Sequence, residues 1–400
     1  MTINSLHTIT ILQSTISSST FAPEGGMSST QYKPIDCKFG TFPLQRTISS
    51  LPKQNQPRLC IAYRILHPSL LNNAATPERA EFDSTQQPKP APLLVIHGGP
   101  SLPSEYLTPL ANHIHNRSII FYDQLGCGWS SIPRQKEWYG VTQMSSDLGE
   151  LIRHLKEVWK VQSFHLLGHS LGGAIGYEYL KHRTTKDVER RRDDDVVPQC
   201  LSFILSNAST NLALSSSEQR RLFQEFQLQQ LQTSVPLLPN NNQQLQNKRL
   251  SMEDEFFHTH ICRTLNKPAE LQSALSRRGM EWSANEYVAT PPSIVSSEMK
   301  SVGSNTITTT TTTAASTATT SGEMLADASA SFPPVLIIRG QYDFVTEICT
   351  RGWFEIFADG IQEVVVLDDC AHYPHFEQPE LYSSQIEKFC ALVESSCARE

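Results

Sequence analysis

The segment FHLLGHSLGGAIGYEYL, residues 164–180, joins an apolar run directly to a helical pattern and sets a serine at the junction. VQSFHLL, ahead of it, reads as a short buried strand, and LGGAIGYEYLKHR, after it, carries helical spacing. An ordinary turn would close such a strand, and a serine cap would open such a helix. Neither explains why glycines stand two residues before and two after the serine, at Gly168 and Gly172. A serine held on a tight strand-to-helix turn does explain them, because side chains there would collide with the strand or the helix. The segment therefore predicts a nucleophile elbow, with the Ser170 hydroxyl projecting above a sheet. Taken alone, Gly-x-Ser-x-Gly fits a capped helix equally well, so the partners must come from the rest of the chain.

Outward from this junction, short apolar runs alternate with helical patterns. RLCIAYRILHP, APLLVIHGG, SIIFYDQ and CLSFILSNA read as strands, and VTQMSSDLGELIRHLKEVWK as a helix. The same alternation returns late in the chain: PPVLIIRG and QEVVVLDD are strands, TEICTRGWFEIF and PELYSSQIEKFCALVES helices. Strands alternating with helices predict an α/β fold with a mostly parallel sheet flanked by helices. Residues 35–212 and 332–400 are expected to form this core, and residues 213–300, helical in pattern and rich in Gln, a cap inserted between its two parts. The Thr/Ser-rich run 301–331 buries too little apolar surface to order and is expected to be disordered. The charge run 186–195, KDVERRRDDD, reads as a solvated loop.

Composition narrows the function classes. The formal charge of −7 and the lack of a basic stripe argue against nucleic acid and anionic membrane as partners. No apolar run reaches bilayer-spanning length. Nine cysteines without a CxxC pair or metal-type spacing fit reduced thiols in a cytoplasmic protein. The first 32 residues hold no Lys or Arg and are rich in Ser and Thr. Residues 1–34 are expected to be a disordered extension, with a plastid-type leader and an alternative start at Met27 as further readings.

A serine hydroxyl needs a general base oriented by a third group. Asp343 follows the strand PVLIIRG, and His372 follows EVVVLDD, both where loops at the carboxyl edge of a parallel sheet reach Ser170. The order Ser170, Asp343, His372 is that of a strand-borne catalytic triad. His375 competes for the base, but His372 follows its strand after the shorter loop. The HxxH spacing finds no third ligand, so neither a metal nor another cofactor is expected. For the oxyanion hole, the N–H of Leu171, next to the nucleophile, is one expected donor. The N–H of Gly99, in LLVIHGGPS, is the other, and His97 is read as a brace for that loop.

HGGPS (97–101), YDQLGCGWS (122–130), GHSLGG (168–173), GQYD (340–343) and CAHYPHFEQPE (370–380) together resemble the proline iminopeptidase group of α/β-hydrolases. The likeness covers roughly residues 38–212 and 332–397, and the cap only loosely. It departs at Ser101, where the group usually has Gly, at Leu171, where an aromatic is common, and at Trp129, in place of a polar or basic residue. The resemblance implies an α/β-hydrolase fold whose helical cap separates the nucleophile half from the Asp/His half, with Asp123 structural. It also implies a serine aminopeptidase that releases an N-terminal residue, preferably proline, from peptides or small amides through an acyl-enzyme. An esterase, lipase-type or amino-acid amidase activity on the same frame is the alternative.

An N-terminal ammonium must not be buried unpaired, so an aminopeptidase needs cap carboxylates. SANEYVAT is similar to the group's Asn-Glu-aromatic stretch and makes Glu286 the first candidate. SMEDEFFHTH adds Glu253, Asp254 and Glu255, for which a solvated helix face is an equal reading. Phe256, Phe257 and Tyr287 are candidates to wall a pocket for a pyrrolidine ring.

Overall fold

The strands form where apolar runs are too short and too β-branched to continue as helices. In the computed structural model, residues 7–8, 36–47, 57–71, 89–186, 197–233, 252–292, 332–358 and 360–397 are described. Their strands are β1 (His7–Thr8), β2 (Cys37–Pro43), β3 (Cys60–Leu66), β4 (Leu93–Ile96), β5 (Ile119–Asp123), β6 (Ser163–His169), β7 (Gln199–Ser206), β8 (Val335–Gly340) and β9 (Ile361–Leu367). They make one sheet in the order β1-β2-β3-β5-β4-β6-β7-β8-β9. The pairings β1–β2, β2–β3 and β3–β5 are antiparallel, and all others are parallel. The expected disordered stretches 1–34 and 301–331 lie outside the described residues, apart from His7 and Thr8, which pair with β2.

The sheet is covered on both faces, and the alternation of side chains along each strand divides the core accordingly. Leu94, Ile96 and Leu166 pack with the helices α1 (Val141–Trp159) and α2 (Leu171–Lys186). Leu93, Val95 and Leu167 pack on the opposite face with Tyr382, Ile386 and Phe389 of the closing helix. In α1 the buried Met144, Leu148, Leu151, Ile152 and Leu155 repeat at helical spacing, which gives one apolar stripe. The first ten residues of α2 are buried all round.

The cap begins with α3 (Leu212–Thr233), continues through a helical stretch ending in a π-wound turn at Phe257–Ile261, and includes α4 (Ala269–Ser276). The chain closes with α5 (Pro379–Cys397). The run TEICTRGWFEIF forms two short helices, Glu347–Thr350 and Gly352–Ile356, rather than one. Strand β2 has no strong strand signature, since CKFGTFP contains a lysine, a glycine and a proline. Its antiparallel register with β3, from Cys37↔Leu66 to Pro43↔Cys60, supplies the order its own residues do not. No helix among the described residues is long and apolar enough to cross a membrane, and all nine cysteines are free thiols.

At the amino edge of the sheet, a buried polar knot joins α5 to three strands. Glu394 accepts hydrogen bonds from Arg117 (3.0 Å), His165 Nε2 (3.0 Å) and the Ala91 N–H (2.8 Å). Its neighbour Arg117, 1% exposed, also donates to the Ala91 carbonyl at 2.8 Å. Burial alone would raise the Glu394 pKa, but the hydrogen bonds from His165 and Arg117 outweigh it and hold the carboxyl down to about 2. Burial keeps His165 below the ordinary histidine range, so it is neutral, donating from Nε2 while Nδ1 accepts from Ser202 at 2.7 Å.

Both shifts have the same sign. The unfolded chain binds these protons more readily, so the knot stabilises the fold fully above pH 6.5 and loses its contribution as pH falls through the histidine range toward 2. Glu394→Ala strands a buried guanidinium, and a loss of about 3 kcal/mol is expected. Denaturant titrations of parent and variant should show that gap at neutral pH and a smaller one at pH 3.

Candidate active site

The carboxyl ends of β4, β6, β7 and β8, consecutive neighbours in the sheet, open onto one cavity of about 340 Å3, and β9 lies next to β8. Ser170 ends β6 with φ 55°, the left-handed region that side-chain-bearing residues rarely adopt. Its N–H donates to the Ser206 carbonyl at the end of β7 (2.8 Å), and its carbonyl accepts from Gly173 N–H (3.0 Å), which pins the turn. A Cβ on Gly168 would stand 2.6 Å from the backbone of Gly172 and Gly173, so the predicted reason for that glycine holds.

Asp343 and His372 meet as the sequence expected: His372 Nδ1–H donates to Asp343 Oδ1 at 2.9 Å. That bond leaves Nε2 as the basic nitrogen. The carboxylate is fully partnered, because Oδ1 also accepts from Val345 N–H (2.9 Å) and Oδ2 from Asn207 Nδ2 (2.6 Å). Asn207, itself left-handed at φ 52°, gives its second amide hydrogen to the Ala371 carbonyl (3.0 Å). It thus spans the loops that carry Asp343 and His372. The sequence gave no sign of this residue beyond an asparagine after a strand, a place where αL is tolerated. Tyr382 of α5 supports it through Ser206, whose Oγ donates to Asn207 Oδ1 at 3.0 Å. His375, the rival base, is buried and bonds the Tyr106 carbonyl (3.0 Å) instead. Burial drives its pKa down to about 3.

Gly99 and Leu171 both line the cavity beside Ser170. The aim of the Gly99 N–H is set by His97. Gln124 N–H donates to His97 Nε2 (2.9 Å), so the ring proton sits on Nδ1 and is given to the Gly98 carbonyl (2.7 Å). In a planar trans peptide the N–H points opposite its carbonyl, so gripping Gly98 O fixes the direction of Gly99 N–H. Burial keeps His97 below its usual pKa and hence neutral. Ser101 has φ 69°, in the left-handed region. Its hydroxyl offsets that strained backbone by donating to the Met280 carbonyl of the cap segment. Asp123 is structural: its carboxylate accepts from Ser104 N–H (2.8 Å), Ser104 Oγ (2.7 Å) and Trp129 N–H (2.9 Å).

The cap carboxylates are not brought to this cavity. Glu286, Glu253 and Glu255 are exposed and none lines it; Glu255 accepts from Gln230 at 3.1 Å. Phe256 packs edge-on against Phe223 (5.1 Å), and Tyr287 donates to Glu178 (3.3 Å), so neither they nor Phe257 form its wall. The π-wound turn instead holds the loops of Asp343 and His372, through His372 N–H to the Ile261 carbonyl (3.0 Å) and the His260 ring to the Tyr342 carbonyl (2.8 Å). The walls are neutral: Ser209, Ser215, Ser216, Gln219, Ser283 and Asn285 supply polar groups, Trp282 and Phe344 the rings. Glu218, beside Gln219, is engaged by Arg221 (2.8 and 2.9 Å) and Thr346 (2.9 Å), and the Arg221 bonds hold its carboxyl below the usual range. Among the described residues no cluster of His, Cys, Asp and Glu has a metal-holding arrangement.

A family model described as alpha/beta hydrolase fold matches residues 91–379. The chain is 33% identical over 137 residues to a proline iminopeptidase of Saccharolobus solfataricus, covering 34% of this chain and 38% of the relative. To a proline iminopeptidase of Lactobacillus acidophilus it is 27% identical over 205 residues, covering 49% of this chain and 64% of the relative. Each match thus spans less than two thirds of the relative's length. The crystal structure of VinJ aligns with a TM-score of 0.54 at 16% identity, covering 89% of this chain and 98% of that one. That of a proline iminopeptidase from Mycobacterium smegmatis aligns at 0.52 and 18%, covering 88% and 99%. At these identities the two structures share the fold.

Asn207→Ala leaves Asp343 Oδ2 and the Ala371 carbonyl without their buried donor. A stability loss of about 1–3 kcal/mol is expected, read as a lower denaturation midpoint with an unchanged slope.

Proposed function

The chain belongs to the alpha/beta hydrolase fold family, and from that premise we propose that it is a serine hydrolase of the prolyl aminopeptidase type. The observation that carries the hydrolase reading is the left-handed Ser170 at one strand end, with the Asp343–His372 pair presented from the two strand ends beyond its neighbour. Ser170 Oγ attacks the substrate carbonyl while His372 Nε2 takes its proton. The N–H groups of Gly99 and Leu171 receive the developing oxyanion, a contribution worth about 3–4 kcal/mol per donor. His372 then protonates the leaving amine, its positive charge balanced by Asp343, and water releases the acyl group by the same route. No step calls on a cofactor.

The aminopeptidase assignment, release of an N-terminal residue, preferably proline, from a peptide or small amide, rests on the proline iminopeptidases to which the chain is similar. Nine free thiols support a reducing, cytoplasmic setting. One observation favours a second reading: no Asp or Glu lines the cavity among the described residues, and Glu218 nearby is already paired. Hydroxyls and amides suit a neutral acyl group, as in an esterase or an amidase that does not require a free amine.

Prolyl- and alanyl-arylamides, their N-acetyl forms and a short nitrophenyl ester separate these readings, with Ser170→Ala as the blank. Turnover of the free-amine arylamide, lost by at least a hundredfold on acetylation, is the aminopeptidase outcome. Equal turnover of both forms, or of the ester alone, assigns the neutral-acyl activity. Activity unchanged in Ser170→Ala would remove Ser170 from the mechanism.

A further inference from the structure

Under Ser170, two side chains to which the mechanism gives no role connect the oxyanion loop to the base loop. Gly98 N–H donates to Tyr106 Oη (2.7 Å), Tyr106 Oη meets His169 Nδ1 (2.8 Å), and His169 Nε2 meets the His372 carbonyl (2.8 Å). Both are buried. Tyr106 comes from a 3-10 helix, Ser104–Asn112, and His169 is the residue before the nucleophile. We propose that Tyr106 and His169 are positioning residues that hold the oxyanion loop and the catalytic base at a fixed separation beneath Ser170. This rests on the serine hydrolase reading above.

The backbone at either end leaves the chain a single proton arrangement. An amide N–H can only donate and a carbonyl can only accept. The Tyr106 oxygen therefore accepts from Gly98, and His169 must carry its proton on Nε2 to bond the His372 carbonyl. A neutral His169 then has a bare Nδ1, to which the Tyr106 O–H donates. Burial, with His372 and His375 alongside, keeps the His169 ring well below the ordinary histidine pKa. The rings are packed as well as bonded: His169 stacks on Tyr373 at 5.5 Å, and Tyr106 meets Tyr373 edge-on at 5.6 Å.

The attachment points are what make the connection consequential. Gly98 touches the nucleophile, since a Cβ there would lie 2.8 Å from Ser170 Cβ, and its carbonyl shares a peptide with the Gly99 N–H. The other end grips the main chain of the base itself. Removing the Tyr106 hydroxyl orphans a buried N–H and a buried imidazole nitrogen at once, and both loops must shift to recover partners. A donor and a base that move relative to each other weaken the transition state more than ground-state binding, so the effect falls on kcat.

The test uses nitrophenyl acetate and the full chain. For Tyr106→Phe, kcat is expected to fall roughly 10- to 100-fold with KM changed less than about threefold. Affinity for a boronic acid that forms a tetrahedral Ser170 adduct should weaken by the same factor as kcat/KM. His169→Gln keeps a donor near the Nε2 position but places no acceptor where the ring Nδ1 meets Tyr106, and is expected to lose a comparable factor. The double variant should then be no worse than either single one, because both delete the same contact. Histidine-labelled parent protein gives a reading independent of turnover: 15N spectra should show His169 protonated on Nε2 only. An Nδ1-protonated His169, or a folded Tyr106→Phe whose kcat stays within twofold of the parent, overturns the proposal. Equal ester turnover by parent and Ser170→Ala would instead overturn the hydrolase reading, with the tautomer still deciding whether the connection exists.

Discussion

A left-handed residue between β6 and α2 is the constraint around which the rest of this molecule is arranged. Ser170 holds φ 55° only because Ser206 takes its N–H and because glycines let strand and helix close to within atomic contact. A side chain in that conformation is disfavoured by roughly 1–2 kcal/mol, so the surroundings must over-determine it. They do so from both sides: β4 and β7 flank β6 in parallel register, and α2 is buried on every side through its first turns. The same parallel order brings the ends of β4, β8 and β9 to the same edge, and the remaining site residues follow from that geometry.

Beneath the edge, two neutral histidines join the loops that line the site. His97 sits between a backbone N–H and a backbone carbonyl, and His169 between a backbone carbonyl and the Tyr106 hydroxyl, so each ring has one tautomer that satisfies both partners. Burial opposes their protonation. An imidazole used this way is a rigid two-ended connector, donor at one nitrogen and acceptor at the other. Such connectors hold their neighbours without adding a standing charge beneath the cavity.

The cap contributes architecture more than chemistry. Its π-wound turn holds the loops of Asp343 and His372, and the segment after α4 grips the oxyanion loop through Gly279 N–H to the Ser101 carbonyl (2.9 Å). The acidic residues singled out in its sequence face solvent, and the cavity beneath it is walled by hydroxyls, amides and two rings.

The sequence alone determined the alternation of strands and helices and the three residues offered for catalysis, while the order of the strands in the sheet came from the tertiary structure. Gly-x-Ser-x-Gly at a strand-to-helix junction, and an Asp and a His after the last two strand patterns, are local signals whose meaning depends on periodicity and chain order. Strand β2 escaped because its order comes from pairing with β3, not from its own residues. Asn207, Tyr106 and His169 escaped for a related reason: an asparagine after a strand, a tyrosine in a short helix and a histidine before the serine have no pattern that marks them. Their roles exist only once the folded chain brings Asp343, Gly98 and His372 within hydrogen-bonding distance. The cap acids failed to gather at the cavity for the converse reason. Residue type and spacing allow a carboxylate to serve an ammonium, but which way the helix bearing Glu253 and Glu255 or the turn bearing Glu286 faces is decided by its packing on the rest of the protein.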